Sequence, residues 1–215
     1  MKFESFLELV SKIRKLPLPG RDVQLEMAPQ ERLKELKEED IAKHNPRQAG
    51  VMSLFYPNNE GETELILILR KTYKGVHSNQ VGFPGGKVEQ EDRDLAHTAL
   101  RETEEEVGVA QDTVTLVREL TNIYIPPSNF YVQSFIGYVQ HTPSFEAQET
   151  EVEDLIPVPL SEFLSDEVVI TQRLTTSYMD EVEVPAYMLQ GHVVWGATAM
   201  MLSEVRALVK KSLIL

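Results

Sequence analysis

Phe3, Phe6, Leu7, Val10 and Ile13 recur at helical spacing, so the chain opens on an amphipathic helix, which Pro17, Pro19 and Gly20 end. A second helix is predicted from about Pro29 to His44, with Pro29 suited to its first turn and Asn45 and Pro46 closing it. From Gly50 the period shortens. Val51 to Tyr56 predicts a strand, the unbroken apolar run Leu65 to Leu69 a buried one, and Pro57 to Gly61 the hairpin turn between them. Asn79 to Phe83 predicts a short strand cut off by Pro84, Gly85 and Gly86. A long helix is predicted from about Asp92 to Val107, stopped by Gly108. Further strands are predicted at Val114 to Leu120, Phe130 to Val139, Val168 to Ile170 and Val182 to Leu189, and a last helix at Ala197 to Lys211.

Strands dominate the middle and helices sit at both ends and once within, which predicts an α/β (α+β) fold with a mixed sheet between helical layers. With 215 residues, no repeats and no linker, the chain divides into an N-terminal helical extension over 1–46 and one globular unit over 47–215. The first helix is expected to pack on its own domain, with contact in a homodimer as the alternative.

The formal net charge of −13 argues against general nucleic-acid binding, which needs a surplus of lysine and arginine. An anionic substrate then requires metal ions or a local basic patch. There are no cysteines, so disulfides, thiolate metal sites and cysteine nucleophiles are excluded. MKFESFLELVSKIRK lacks the apolar run of a secretory signal, no stretch approaches the ~20 apolar residues of a membrane span, and Ser212 to Leu215 do not form a peroxisomal tripeptide. A cytoplasmic location is expected.

Chemistry concentrates in RETEEEVG, Arg101 to Gly108. Glu102, Glu105 and Glu106 stand at i, i+3 and i+4, on one stripe of the helix, while Ala96, Ala99, Leu100, Thr103 and Val107 form another face. Like charges so spaced repel unless water or a cation neutralises them. Magnesium and manganese suit such a site, because hard cations choose carboxylate oxygens and retain waters for substrate phosphates. A solvated acidic face is the alternative. Upstream, GFPGGK (Gly82 to Lys87) reads as a strand end running into a tight diglycine turn, where a bare carbonyl can serve as a further metal oxygen.

FPGGKVEQEDRDLAHTALRETEEEVG resembles the Nudix box: Arg101, Glu102, Glu105, Glu106 and Gly108 match its R-E-x-x-E-E-x-G core. Asp92 stands where the general pattern has glutamate, Thr103 where it is usually aliphatic, and the interval from Gly86 to Arg101 is one residue longer. The coenzyme A pyrophosphatase branch of that family is similar in this longer interval. It is similar also in LILRKTYKGVHSNQVGFPGGK (Leu67 to Lys87), in the pairs Glu151–Val152 and Pro159–Leu160, and in VWGATAMML (Val194 to Leu202).

The resemblance implies an α/β/α sandwich with a mixed central sheet, and hydrolysis of a nucleoside diphosphate linked to another group. It implies Mg²⁺ or Mn²⁺ on Glu102, Glu105 and Glu106, joined by the Gly86 carbonyl. A glutamate of the helix or of a later loop takes the proton of the attacking water, with Glu151 preferred among Glu146, Glu149, Glu151 and Glu153. Arg101 is expected to hold a ligand carboxylate in place. Arg70, Lys71, Lys74 and His77 form a basic stretch suited to the phosphates of coenzyme A. Within IPPSNF, Asn129 and Phe130 are candidate substrate contacts, with turn or core duty as the alternative. Trp195 is expected to pack the last helix on the sheet, adenine stacking being the alternative. Coenzyme A is the expected substrate; ADP-ribose or a dinucleotide, and a Nudix-like binding module without catalysis, are the rivals.

Overall fold

A computed structural model describes residues 1–30, 33, 41–72, 79–176 and 179–214. Helix α1 (Phe3–Lys15) buries Phe3, Phe6, Leu9, Val10 and Ile13 along one stripe. It stops at Leu16, whose backbone is extended, as a residue preceding proline prefers. The Phe6 ring lies 4.8 Å from Phe55, so the helix packs directly on the sheet. A short helix α2 (Arg21–Leu25) follows, where the sequence pattern suggested only a break. The second helix expected from Pro29 to His44 falls mostly on residues outside the described ones; its end, Ile41–His44, is a 3-10 turn.

The main sheet contains β1 (Arg47–Pro57), β2 (Thr63–Arg70), β3 (Val81–Gly82), β4 (Gly85–Lys87), β5 (Thr115–Glu119), β6 (Ile123–Ile125), β7 (Phe130–Tyr138) and β8 (Val152–Pro159). Its path runs β3-β2-β1-β7-β5, with β4 on β1, β6 on β7 and β8 on β2. The sheet is mixed: β1 and β7 run parallel from Arg47 opposite Phe130 to Phe55 opposite Tyr138, and the other pairs are antiparallel. A three-stranded sheet, β11-β10-β9, is formed by β9 (Val169–Thr176), β10 (Met179–Leu189) and β11 (His192–Trp195). The remaining helices are α3 (Leu95–Val107), α4 (Leu160–Leu164) and α5 (Gly196–Ile214).

Alternation along the central strands sorts side chains into two cores. Val51, Phe55, Leu65 and Leu67 join α1 and α5 on one face; Met52, Leu54, Ile66 and Ile68 meet Ala99 and Val107 of α3 on the other. This explains the unbroken Leu65–Leu69 run: both faces of β2 are covered. Helix α3 approaches β1 where β1 has no side chain, since a Cβ on Gly50 would stand 2.3 Å from the Leu95 carbonyl oxygen.

Three departures from the sequence reading bear on the site. GGK, read as a turn, is strand β4, pairing Gly85–Lys87 with Ala49–Val51; Gly85 sits at φ +147, which only glycine adopts readily. Strand β8 went unread because Pro157 and Pro159 punctuate it; it pairs only β2 among the described strands, and an edge strand tolerates proline. The acidic helix begins at Leu95, not Asp92, with the Asp94 side chain capping the His97 N–H at 2.8 Å.

Candidate functional site

Helix α3 carries its glutamates into three different environments, so the single displayed stripe expected from spacing needs correction. Glu106 is 2% exposed and shares the packing face with Ala99 and Thr103. The Glu102 side chain is 13% exposed and that of Glu105 53%. Thr103, buried beside them, satisfies its hydroxyl by donating to the Ala99 carbonyl at 2.6 Å.

The Glu106 carboxylate is held at both oxygens. Its Oε2 accepts from the Gly85 N–H at 2.8 Å, and its Oε1 lies 3.4 Å from Arg70 Nη1. Arg70 Nη2 donates to the Gly85 carbonyl at 2.8 Å, so one guanidinium clamps both β4 and the carboxylate. Burial pushes Glu106 up to about 7, opposed by Arg70 and the Gly85 N–H, with Glu102 and Glu151 adding to the rise. Burial also raises Glu102, against the pull of Arg101 and with reinforcement from Glu105 and Glu151. The carboxylates therefore sense one another across a shared space.

Arg101 is the second clamp. Its Nε and Nη2 donate to the two oxygens of Asp92, each at 3.0 Å, Nη2 also reaches the Lys87 carbonyl at 3.1 Å, and Nη1 donates to Glu105 at 2.9 Å. Nη2 stands 3.0 Å from Glu102 Oε1. Asp92 further accepts from the Glu89 N–H and the Thr98 hydroxyl, both at 2.9 Å. The Arg101 guanidinium, helped by these donors, holds Asp92 well below the usual carboxylate range. That anchoring role escaped the sequence reading, since a pairing across a loop leaves no periodic trace.

These groups border a cavity of about 410 Å³. Its polar lining comprises Arg70, Gly86, Lys87, Glu89, Arg101, Glu102, Glu105, Glu106, Gln148, Glu151 and Thr198. Its apolar lining comprises Ala49, Val51, Phe83, Ile125, Phe130, Val132, Ala197 and Met201. Glu151 arrives from the loop before β8, tied to α3 by the Gln148 N–H bonding the Glu106 carbonyl at 3.1 Å. Gln148 carried no sequence signal, and Thr198 and Met201 only that of the stretch Val194 to Leu202, with no site role read for either.

Several expected contacts lie elsewhere. Lys71, one residue past β2, points away from the Arg70 side, and its ammonium stands 3.9 Å from Glu153 at the surface. Asn129 is a turn residue at φ 50; its side chain accepts from the Tyr124 hydroxyl at 2.9 Å and donates to the His44 carbonyl at 3.1 Å. Phe130 does line the cavity, with the Arg47 guanidinium 4.1 Å over its ring. Arg70, a candidate phosphate contact or plain strand end from the sequence, ends β2 and lines the cavity while engaged by Glu106 and Gly85. Glu146, Glu149, Glu153 and Trp195 are not among the lining residues; Lys74 and His77 lie outside the described residues.

Among the described residues no three His, Asp or Glu side chains are arranged to hold a metal ion by themselves. The carboxylates instead edge an open cleft, and a Cβ on Gly86 would stand 2.5 Å from the Glu102 carboxyl, so bare backbone meets carboxylate there. An all-oxygen, incomplete donor set fits Mg²⁺ or Mn²⁺, which keep waters and take substrate phosphates to complete their shell.

A family model described as NUDIX domain matches residues 45–178. The chain is 32% identical over 130 residues to Nudix hydrolase 15, mitochondrial, of Arabidopsis thaliana, covering 60% of this chain and 45% of that protein. It is 38% identical over 103 residues to a protein of Yersinia enterocolitica described as an uncharacterized Nudix hydrolase NudL, covering 48% of this chain and 52% of that one. The chain thus spans about half the length of the curated relatives it matches. Among solved structures, a MutT/nudix family protein from Enterococcus faecalis superposes with TM-score 0.52 at 20% identity, over 77% of this chain and 63% of that one. RenU, a Nudix hydrolase from M. smegmatis, gives TM-score 0.52 at 12% identity, over 77% and 87%. At such identities these two speak for the fold.

Proposed function

The chain belongs to the Nudix family, and from that premise we propose that it is a divalent-metal-dependent pyrophosphohydrolase cleaving coenzyme A, or an acyl-coenzyme A, to 3′,5′-ADP and the 4′-phosphopantetheine half. The observation that carries the reading is one cavity lined both by a group of carboxylates and by a set of apolar side chains. The first suits a metal-neutralised diphosphate; the second suits the uncharged parts of the substrate, its pantetheine arm or adenine ring. The branch assignment draws on Leu67 to Lys87, Glu151–Val152, Pro159–Leu160 and Val194 to Leu202.

In this reading Glu102, Glu105 and Glu106, with the Gly86 carbonyl, hold the cation. When bound, the divalent ion neutralises charge on the diphosphate and acidifies water. Glu151, on the cavity wall beside these carboxylates, accepts the proton of the water that attacks phosphorus. The bridging oxygen leaves with the departing phosphate half, so one water is consumed and two phosphate monoesters result. Arg101 fixes Glu102 and Glu105 against Asp92, and Arg70 fixes Glu106 against β4. Phe130 presents an apolar ring to the substrate.

The test is a substrate panel of coenzyme A, acetyl-coenzyme A, ADP-ribose and a dinucleoside diphosphate, with Mg²⁺ or Mn²⁺ and product identification by mass. Faster turnover of ADP-ribose than of coenzyme A at low concentration would remove the branch assignment. Saturable binding without turnover of any of them would favour a non-catalytic module.

A further inference from the structure

Away from the glutamates of α3, a second carboxylate is wholly buried. Glu204, in the middle of α5, is 0% exposed and, among the described residues, has no salt-bridge partner. Four donors converge on it. Oε1 accepts from the Gly20 N–H at 3.2 Å and the Thr121 hydroxyl at 2.7 Å; Oε2 accepts from Gln24 Nε2 at 2.9 Å and the Thr121 N–H at 3.1 Å. Gln24, itself 1% exposed, also donates to the Thr121 carbonyl at 2.8 Å. A carboxylate offers acceptors at both oxygens, and every partner here donates, so an amide in its place turns an N–H₂ toward donors.

The three segments it joins are the α1–α2 stretch, the β5–β6 connection and α5. Two of them build the cavity wall. Ile125, at the end of β6, lines the cavity, as do Ala197, Thr198 and Met201 of α5. Ala197 and Glu204 are seven residues apart, on nearly one stripe of α5 about two turns apart. At the start of that helix the Thr198 hydroxyl donates to the Val81 carbonyl at 3.0 Å, fixing it to β3. The helix is therefore held on each side of Met201, by Thr198 toward its start and by Glu204 beyond. Further contacts hold it past Met201: Ser203 Oγ donates to the Val23 carbonyl at 2.9 Å and Arg206 Nε to the Phe163 carbonyl at 3.0 Å.

We infer that Glu204 is a positioning residue for substrate binding: by bridging α5 to Thr121 and to the Gly20–Gln24 segment, it holds the Ile125 and Met201 walls of the cavity at a fixed separation. The inference rests on the proposed pyrophosphohydrolase reading for its kinetic consequence, and on geometry alone for its structural one. No group of the Glu204 network touches the α3 glutamates, so substrate affinity responds and the cation site does not.

Three variants separate this from a general loss of stability: Glu204→Gln, Thr121→Val and Thr121→Ser. Glu204→Gln and Thr121→Val are expected to raise KM for coenzyme A about fivefold, the worth of roughly one hydrogen bond. In both, kcat and the affinity for Mn²⁺ measured by calorimetry stay at the wild-type values. Thr121→Ser keeps the hydroxyl and behaves as wild type. Amide exchange in Glu204→Gln and Thr121→Val should quicken at Thr121–Ile125 and Ala197–Met201 while α3 stays protected. Unchanged exchange at those walls, or a fall in kcat and Mn²⁺ affinity alongside the rise in KM, overturns the inference. If wild-type protein turns over no coenzyme A, the functional reading fails, and exchange at Ile125 and Met201 still decides for Glu204. If Glu204→Gln does not fold, the Thr121→Val and Thr121→Ser pair decides.

Discussion

Adding one methyl group at Gly86 or at Gly50 should separate the chemistry of this protein from its fold. At Gly86 a Cβ would stand 2.5 Å from the Glu102 carboxyl, the far end of a flexible side chain. The backbone there has no positive φ to oppose alanine. Glu102 can swing aside at about 0.5–1.5 kcal/mol for a poorer rotamer, offset by about 0.4–1 kcal/mol from the stiffer unfolded chain. Gly86→Ala should therefore melt within roughly 4 °C of wild type. Its rate should still fall about 10- to 100-fold or more, because a carboxylate proposed to grip the cation is displaced. At Gly50 the same methyl meets the Leu95 carbonyl oxygen at 2.3 Å and the Ala99 nitrogen at 3.0 Å, both backbone. There α3 must move off the sheet, a cost of about 3 kcal/mol that should lower the melting temperature by roughly 6–12 °C. Differential scanning fluorimetry and initial rates with coenzyme A and Mn²⁺ read both outcomes. A Gly86→Ala protein with normal rate and normal Mn²⁺ affinity would refute the placement of Glu102 in the cation site.

The buried Glu106 gives a pH dependence of definite sign. Its folded value of about 7 lies above the ordinary 4.5, so the stability this group contributes to metal-free protein is fully present below about pH 4.5 and is lost as pH rises through 7. In EDTA, Glu106→Gln should gain stability over wild type as pH rises from 5 to 8; a difference that stays flat contradicts the assignment. The same proton must leave before a cation binds, so Mn²⁺ affinity should weaken up to about tenfold per pH unit below 7, read by calorimetry. Asp92→Asn removes the partner that both Arg101 nitrogens share, and should cost about 2–4 kcal/mol in chemical denaturation, with a lower rate as Arg101 loses its anchor. Lys71→Ala should leave KM for coenzyme A within about twofold, because its ammonium faces Glu153 outside the cavity.

Much of the candidate site was legible in the chain because it rests on local spacing. Glu102, Glu105, Glu106 and the glycine stop at Gly108 follow from helix periodicity, and Gly86 follows from its place before that helix. What spacing could not show was depth. Glu106 turns toward the sheet with Ala99 and Thr103 while Glu105 remains half in water, a distinction made by the packing of α3 on Gly50. Pairings across loops were equally silent: Arg70 reads as part of a basic stretch until β4 brings the Gly85 carbonyl to it, and Asp92 as a helix residue until Arg101 reaches back. Strands β4, β6 and β11 are three or four residues long, too short for a period to register. Glu204 sat unremarked in an apolar helix, since its four donors come from segments 83 to 184 residues away.

The most direct test of the cation-assisted chemistry is a crystal of the wild-type protein soaked in Mn²⁺ and measured at the manganese absorption edge. The expected result is anomalous density within ligating distance of at least two among Glu102, Glu105 and Glu106, facing the cavity. Manganese found elsewhere, with these three carboxylates still paired only to Arg70, Arg101 and Gly85, would contradict it.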